Sequence, residues 1–181
     1  MKTFFTSDLH YSHANIIKYC SRPYKDIHHM NISLTNNWNS IVSPEDEVWV
    51  LGDVSWNPQQ LQNILPRLNG TKYLVSGNHD KCFKSQAQVE KYRWYGFSEV
   101  YTDPVKRTFN GREFVLCHFP YTDTRFPHKV PLDEGLFLLH GHSHSRKENV
   151  LRENMLDVGV DGHDYHPWEL TELLEFIDVK V

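Results

Sequence analysis

Five apolar runs in this chain are each followed within a few residues by a short polar piece rich in oxygen and nitrogen donors. Thr3-Phe4-Phe5-Thr6 leads to Asp8-Leu9-His10, Val48-Trp49-Val50-Leu51 to Gly52-Asp53, and Tyr73-Leu74-Val75 to Gly77-Asn78-His79-Asp80. Phe114-Val115-Leu116 leads to Cys117-His118, and Leu136-Phe137-Leu138-Leu139 to Gly141-His142-Ser143-His144. Short continuous runs of β-branched, aromatic and aliphatic residues read as buried strands. Ligands of open α/β sheets bind beyond the carboxyl ends of strands. The order therefore constrains the chain to a layered α/β fold whose strand ends converge on one donor-rich rim.

Helical spacing fills the gaps. The pattern predicts helices over His13–Tyr19 with Ser12 as N-cap, over Asn31–Val42 through Ile32, Leu34, Trp38 and Ile41, and over Pro58–Leu68 with Asn57 as cap. A further helix over Lys84–Tyr95 closes at Gly96. Beyond it the texture changes. Ser98–Tyr101, Val105–Phe109 and Arg112–Leu116 read as strands, with Asn110-Gly111 as a hairpin turn. Tyr121–Pro131 reads as an irregular loop, Leu136–His140 and Met155–Val160 as strands, and Glu169–Phe176 as a last helix. A parallel β-α-α-β-α-β half followed by a hairpin-rich half implies two packed sheets flanked by helices, in one domain spanning residues 1–181.

Composition narrows the function. With 39% hydrophobic and 23% charged residues the chain is ordinary globular protein. A net charge of -4 lacks the basic footprint of a long nucleic-acid binder. A nucleotide substrate stays open, because bound divalent cations supply positive charge locally. The three cysteines form no CxxC, and Met1-Lys2 leads straight into a strand with no signal-peptide core. Reduced thiols in a cytoplasmic protein are the expectation. No apolar stretch approaches the roughly 20 residues that span a membrane.

The chain has twelve histidines, several of them beside aspartates. Imidazole with carboxylate suits Zn, Fe, Mn and related ions. Asp8 and His10 are two apart, as are His142 and His144, so in extended chain each pair points to one side. Two carboxylates, four imidazoles (His10, His118, His142, His144) and the Asn78 amide make seven donors. One ion with an open position needs only three, so two ions are expected. Such a pair, about 3.5–4 Å apart, is the usual arrangement for in-line displacement at phosphorus. Asp53, in the middle of the donor order, is the expected bridge. His79 beside Asp80 suits a general acid whose ring the carboxylate orients and whose pKa it raises. Singly, Asp8, Asp53 and Asn78 also read as turn or capping residues; the ordered set is what carries the reading.

DxH, GD, GNHD, H and GHxH in this order, from Asp8 to His144, resemble the calcineurin-like metallophosphoesterase superfamily. The resemblance implies a four-layer α/β/β/α sandwich with two mixed sheets and the metal site at strand C-terminal ends. It implies Asp8, His10, Asp53 and His144 on one ion, and Asp53, Asn78, His118 and His142 on the other, with His79 catalytic. The start Thr6 to Ile17, with Arg22-Pro23-Tyr24 after it, is similar to the small stand-alone phosphoesterases of bacteria and phages. That places the expected site of action in a bacterial cell, or in the host cytoplasm for a phage-encoded chain. After Asp53 this sequence lacks the arginine of phosphoprotein phosphatases, and it keeps His79 where lipid A pathway pyrophosphatases carry arginine.

The expected activity is a dinuclear phosphoesterase using metal-hydroxide attack in line, with two divalent ions, Mn²⁺ favoured and Fe, Zn, Ni or Mg as alternatives. Its partner is a small phosphate ester or nucleotide, diesters before monoesters. Phosphomonoester or phosphoprotein hydrolysis is the alternative, and a non-catalytic metal scaffold the reading from another class. Trp56 is a candidate to stack on a substrate ring, and Arg125 to grip a phosphate; Arg22, Lys129 and Arg146 are weighed for the latter with a solvated face as default. Trp38, Trp49 and Trp94 are expected in the core, Cys117 as a small apolar residue, His13 in a structural role, and His28 and His29 exposed ahead of a helix.

Overall fold

Alternation along the strands decides the layering. The structure, a computed structural model, describes residues 1–146 and 150–180. Its first half contains β1 (Thr3–Thr6), α1 (Ala14–Tyr19), α2 (Ile27–Ile41), β2 (Glu47–Val50), α3 (Leu61–Ile64), β3 (Thr71–Val75), α4 (Gln86–Tyr95) and β4 (Glu99–Tyr101). The second contains β5 (Val105–Phe109), β6 (Arg112–Leu116), β7 (Phe137–His140), β8 (Leu151–Arg152), β9 (Met155–Asp157), β10 (Trp168–Glu169) and α5 (Leu170–Lys180). One five-stranded sheet runs β10-β1-β2-β3-β4 and the other β5-β6-β7-β9-β8. β1 to β4 are parallel, with β10 antiparallel at the edge. In the second sheet β6, β7 and β9 are parallel, flanked by antiparallel β5 and β8.

Because successive side chains face opposite ways, Phe4, Val48, Val50 and Leu74 enter one core with residues of α1 to α4 and their flanks, such as Ile16, Leu34, Trp38, Leu61 and Tyr92. Phe5, Trp49 and Val75 enter a second core with Phe114, Leu116, Leu139 and Leu156 of the other sheet, and with Leu173 and Ile177 of α5. The remaining faces of β6, β7 and β9, through Val115, Leu138 and Met155, pack on Phe83, Phe119, Phe126 and Val130. So helices cover the outer face of the first sheet, and the loop expected over Tyr121–Pro131 helps cover that of the second. Each such buried side chain contributes about 1.5–3 kcal/mol relative to exposure. Among the described residues, no helix is long and apolar enough to cross a membrane.

Asn110 and Gly111 both have positive φ (48° and 78°), the requirement of a two-residue hairpin turn, and Phe109 pairs with Arg112 across it. Four local expectations change. Helix α1 starts one residue later, with His13 rather than Ser12 at its N-cap, because Ser12 has φ 63° and its N–H bonds Asn31 Oδ1. Helix α2 begins at Ile27, since Asp26 caps it by accepting from the His29 N–H; His28 and His29 thus lie in its first turn. The stretch from Pro58 to Arg67 is α-helical only over Leu61–Ile64 between two 3₁₀ turns, consistent with Pro66, which has no N–H to continue an α-ladder. Trp94 is 75% exposed, because α4 turns Val89 and Tyr92 inward and Trp94 lies on another face.

A candidate dinuclear metal centre

The carboxyl ends of β1, β2 and β3 meet those of β6, β7 and β9 along one rim. Ser7 and Gly159 form a parallel bridge there, and the Val160 N–H donates to the Ser7 carbonyl at 3.1 Å, joining the sheets. Close approach requires glycine at two of the turns. A Cβ on Gly77 would lie 2.7 Å from the Asp53 nitrogen, and one on Gly141 would run into the Ser7 hydroxyl.

Among the described residues three groups of donors form, one of them Cys20, His144 and Asp161, which shares His144 with the first of the two on this rim. In that first, Asp8, His10 and His144 place a ligand atom each within 4.8 Å of the others; in the second, Asp53, His118 and His142 do the same. Asp53 Oδ2 lies 3.5 Å from His10 Nε2 and 3.5 Å from His118 Nε2, between the groups, and 3.9 Å from His79 Nε2. The expected pairs converge, though not by strand alternation. Asp8, His10, Asp53, His142 and His144 all have positive φ, from 48° to 69°. Left-handed backbone costs a non-glycine residue about 1–3 kcal/mol and collects at functional sites; Asp and His tolerate it better than most.

Each carboxylate is half committed. Asp8 Oδ2 accepts the His142 N–H at 2.8 Å, and Asp53 Oδ1 accepts the His79 N–H at 2.9 Å, which fixes the second oxygen of each toward the centre. Asp8 Oδ1, His10 Nε2 and Asn78 Oδ1 are buried without a hydrogen-bond partner. A buried polar atom left unsatisfied costs about 1–3 kcal/mol. Three such atoms on one rim, all oxygen or imidazole nitrogen, fit divalent cations. The imidazoles are oriented as ligands are: His118 Nδ1 donates to the Leu51 carbonyl at 2.7 Å and His144 Nδ1 to Asp161 at 2.7 Å, freeing each Nε2. Burial lowers both imidazole pKa values, yet the anionic neighbours outweigh it. Asp53 brings His118 up to about 9, and Asp8 with Asp161 brings His144 to about 11.

Asp80 does not orient His79. It is buried, and its oxygens accept N–H bonds from Gly77, Asp53 and Val54 at 2.9–3.2 Å, clamping two strand-end loops together. Burial and the Asp53 charge push its pKa up to about 7 against the pull of those amides. Arg22 is no phosphate ligand on a solvated face either. Its buried guanidinium pairs Asp161 at 2.8 Å through both Nε and Nη2, and donates to the Asp8 and Leu9 carbonyls. Lys129 is engaged by Asp103 and the Thr102 carbonyl, and Arg146 is exposed. Arg125 does reach it: its Nη2 touches His142 Nε2, and Asp123 holds the guanidinium. Trp56 lies beside His79, with ring centroids 5.3 Å apart.

Two residues of the centre, Asp161 and Asp123, were not foreseen as its parts, and His13, for which an approach to the site was the alternative to a structural role, lies at the rim. Asp161 lies four residues past the end of β9, as the other donors lie within a few residues of their strands. Asp123, in the covering loop, brings Oδ2 to 3.2 Å from His142 Nε2, and no strand points to it in sequence. His13 Nδ1 lies 3.4 Å from His10 Nδ1, so its structural role is at the rim itself.

A family model for the calcineurin-like phosphoesterase superfamily domain matches residues 1–158. An uncharacterized protein of Methanocaldococcus jannaschii is 30% identical over 185 residues, which cover 98% of this chain and 92% of its own. The Gene 66 protein of Mycobacterium phage D29 is 33% identical over 196 residues, 96% of each chain. A crystal structure of a protein of unknown function from Aquifex aeolicus superposes with a TM-score of 0.76 at 27% identity, over 97% of this chain and 98% of that one.

Proposed function

We propose, from the premise that the chain belongs to the calcineurin-like phosphoesterase superfamily, a family of metal-dependent hydrolases of phosphoester bonds, that it is a dinuclear phosphodiesterase acting on small or nucleotide diesters. The observation that carries the reading is the position of Asp53 Oδ2, equidistant at 3.5 Å from His10 and His118. Asp8, His10 and His144 would hold one ion, and Asn78, His118 and His142 the other, with Asp53 shared. When bound, such a pair supplies Lewis-acid charge to the phosphoryl oxygens and lowers the pKa of water; Mn²⁺ suits the mixed carboxylate, amide and imidazole set.

The chain's own residues do the rest. The backbone amides of His79 and His142 hold the two carboxylates in place, and Leu51 and Asp161 fix the tautomers of His118 and His144. His79, with 38% of its side chain exposed and Nε2 facing Asp53, holds a proton for the leaving oxygen. A diester leaves as a poor alkoxide, and that is where such a proton matters most. Arg125 presents its guanidinium beside His142 to a phosphoryl oxygen that does not react.

The test is hydrolysis of bis-p-nitrophenyl phosphate with added Mn²⁺. Wild type turns the diester over. Asp53→Asn abolishes turnover; His79→Ala slows hydrolysis of a diester with an alkoxide leaving group, such as 3′,5′-cyclic AMP, about 10²–10⁴-fold and slows that of bis-p-nitrophenyl phosphate, whose phenolate leaves readily, much less, while two ions per chain remain by elemental analysis. No turnover with Mn²⁺, Fe²⁺, Zn²⁺, Ni²⁺ or Mg²⁺ would overturn the reading.

A further inference from the structure

Trp56 is a large aromatic side chain exposed next to the centre. It is 53% exposed, while the residues on its N-terminal side from Leu51 to Ser55 are buried. Its base is rigid: the Trp56 N–H donates to the Tyr11 carbonyl at 2.9 Å, and the Ser55 hydroxyl to the same carbonyl at 3.0 Å. Its ring is fixed as well. The His13 imidazole lies parallel to it, with centroids 4.2 Å apart and planes at 13°. His13 is itself buried, against His10, and Tyr19, 73% exposed, lies edge-on to His13 at 6.3 Å. One indole face is thus covered by a protein ring, in a plane that the protein sets. From Trp56 the ring of His79 is 5.3 Å away, so a phosphoryl group at the centre would carry its ester substituent past His79 toward the indole.

Polarity selects the kind of substituent. From Val54 to Pro66 the sequence carries no charged residue, and Gln59 and Gln60 are exposed amides. A cationic headgroup would find no carboxylate on this segment, and an anionic one no base. A flat, neutral, hydrogen-bonding ring fits: every nucleobase has a π-face that stacks on an aromatic side chain, and amides pair with base edges.

We infer that Trp56, backed by His13, is a stacking platform for a nucleobase of the substrate. The inference rests on the phosphoesterase reading of the adjoining centre. It is tested by calorimetric binding of AMP and of ribose 5-phosphate to the Mn²⁺-loaded protein, two phosphates that differ by the base alone. Wild type binds AMP at least about tenfold more tightly. Trp56→Ala brings the two affinities within about twofold, and Trp56→Phe, which keeps a ring, retains most of the preference and so excludes a folding defect. A wild-type protein that binds both equally or binds neither overturns the inference, and so does a preference that survives Trp56→Ala. A preference for AMP without diester turnover would leave the platform standing and remove the hydrolase; diester turnover without the preference would do the reverse.

Discussion

The two donor groups are built to opposite plans. Asp8, His10 and His144 are backed from inside: Asp161 holds His144, Arg22 holds Asp161, and the same guanidinium ties down the Asp8 and Leu9 carbonyls. Asp53, His118 and His142 are backed from inside at two of the three: the His79 N–H and buried Asp80 hold Asp53 and its loop, and the Leu51 carbonyl holds His118. His142 is met instead by Asp123 and Arg125, from the loop that covers the second sheet, and 66% of the Arg125 side chain is exposed. The difference teaches a division of labour. One half holds charge through interior pairs, while His142 of the other is met by a loop whose Asp123 side chain is buried and whose Arg125 side chain is exposed.

Breaking the half with interior pairs should have the largest effect. Asp161→Asn leaves the Arg22 guanidinium buried without its carboxylate, and losing one partner of a buried pair costs about 3–5 kcal/mol. Denaturant unfolding should show that loss, and metal affinity should fall about 10–100-fold, as expected when an outer partner of a ligand is removed. Stability within 1 kcal/mol of wild type would remove the distinction between the halves. Next in size is the order of metal loss. Titration with a chelator should take the ion at Asp53, His118 and His142 first and pass through about one metal per chain; simultaneous loss of both ions would contradict the comparison. Smaller again, Asp123→Asn should weaken the second ion about tenfold with the unfolding curve barely moved, and a shift as large as that of Asp161→Asn would make the loop as structural as the interior. Least of all, Trp94→Ala should change unfolding by no more than about 0.5 kcal/mol, as exposed positions do.

The five donor pieces were legible because each lies directly after a strand, where two residues of sequence decide what the rim receives. The parallel first sheet was legible for the same reason, from Phe4, Val48 and Leu74 at helix-separated intervals. The route by which Asp8 and His10 converge was not. Period-two reasoning assumes extended backbone, and left-handed residues at 8 and 10 break that assumption while giving the same outcome. Asp80 was misplaced because adjacency to His79 said nothing of direction: its side chain turns inward to three amides. Arg22 looked like a surface cation because its partner lies 139 residues away. Asp123 was out of reach of sequence reasoning, since its position depends on the path of an irregular loop. Asp161 could have been found, as a carboxylate four residues past the end of β9, the spacing His10 has from the end of β1.

The bond between Asp8 and the His142 N–H spans 134 residues, and that between Arg22 and Asp161 spans 139. Contacts this distant form late, because the entropy of closing the loop must be met before they give anything back. On a ribosome, the first strand emerges carrying Asp8 and His10 long before His144 or Asp161 has been made. Neither donor group is complete until His142 and His144 have been made and brought to the rim, where both sheets join at Ser7 and Gly159. Each donor group therefore reports the joining of the two sheets, and the first strand alone, with Asp8 and His10, supplies only two of the three donors of its group.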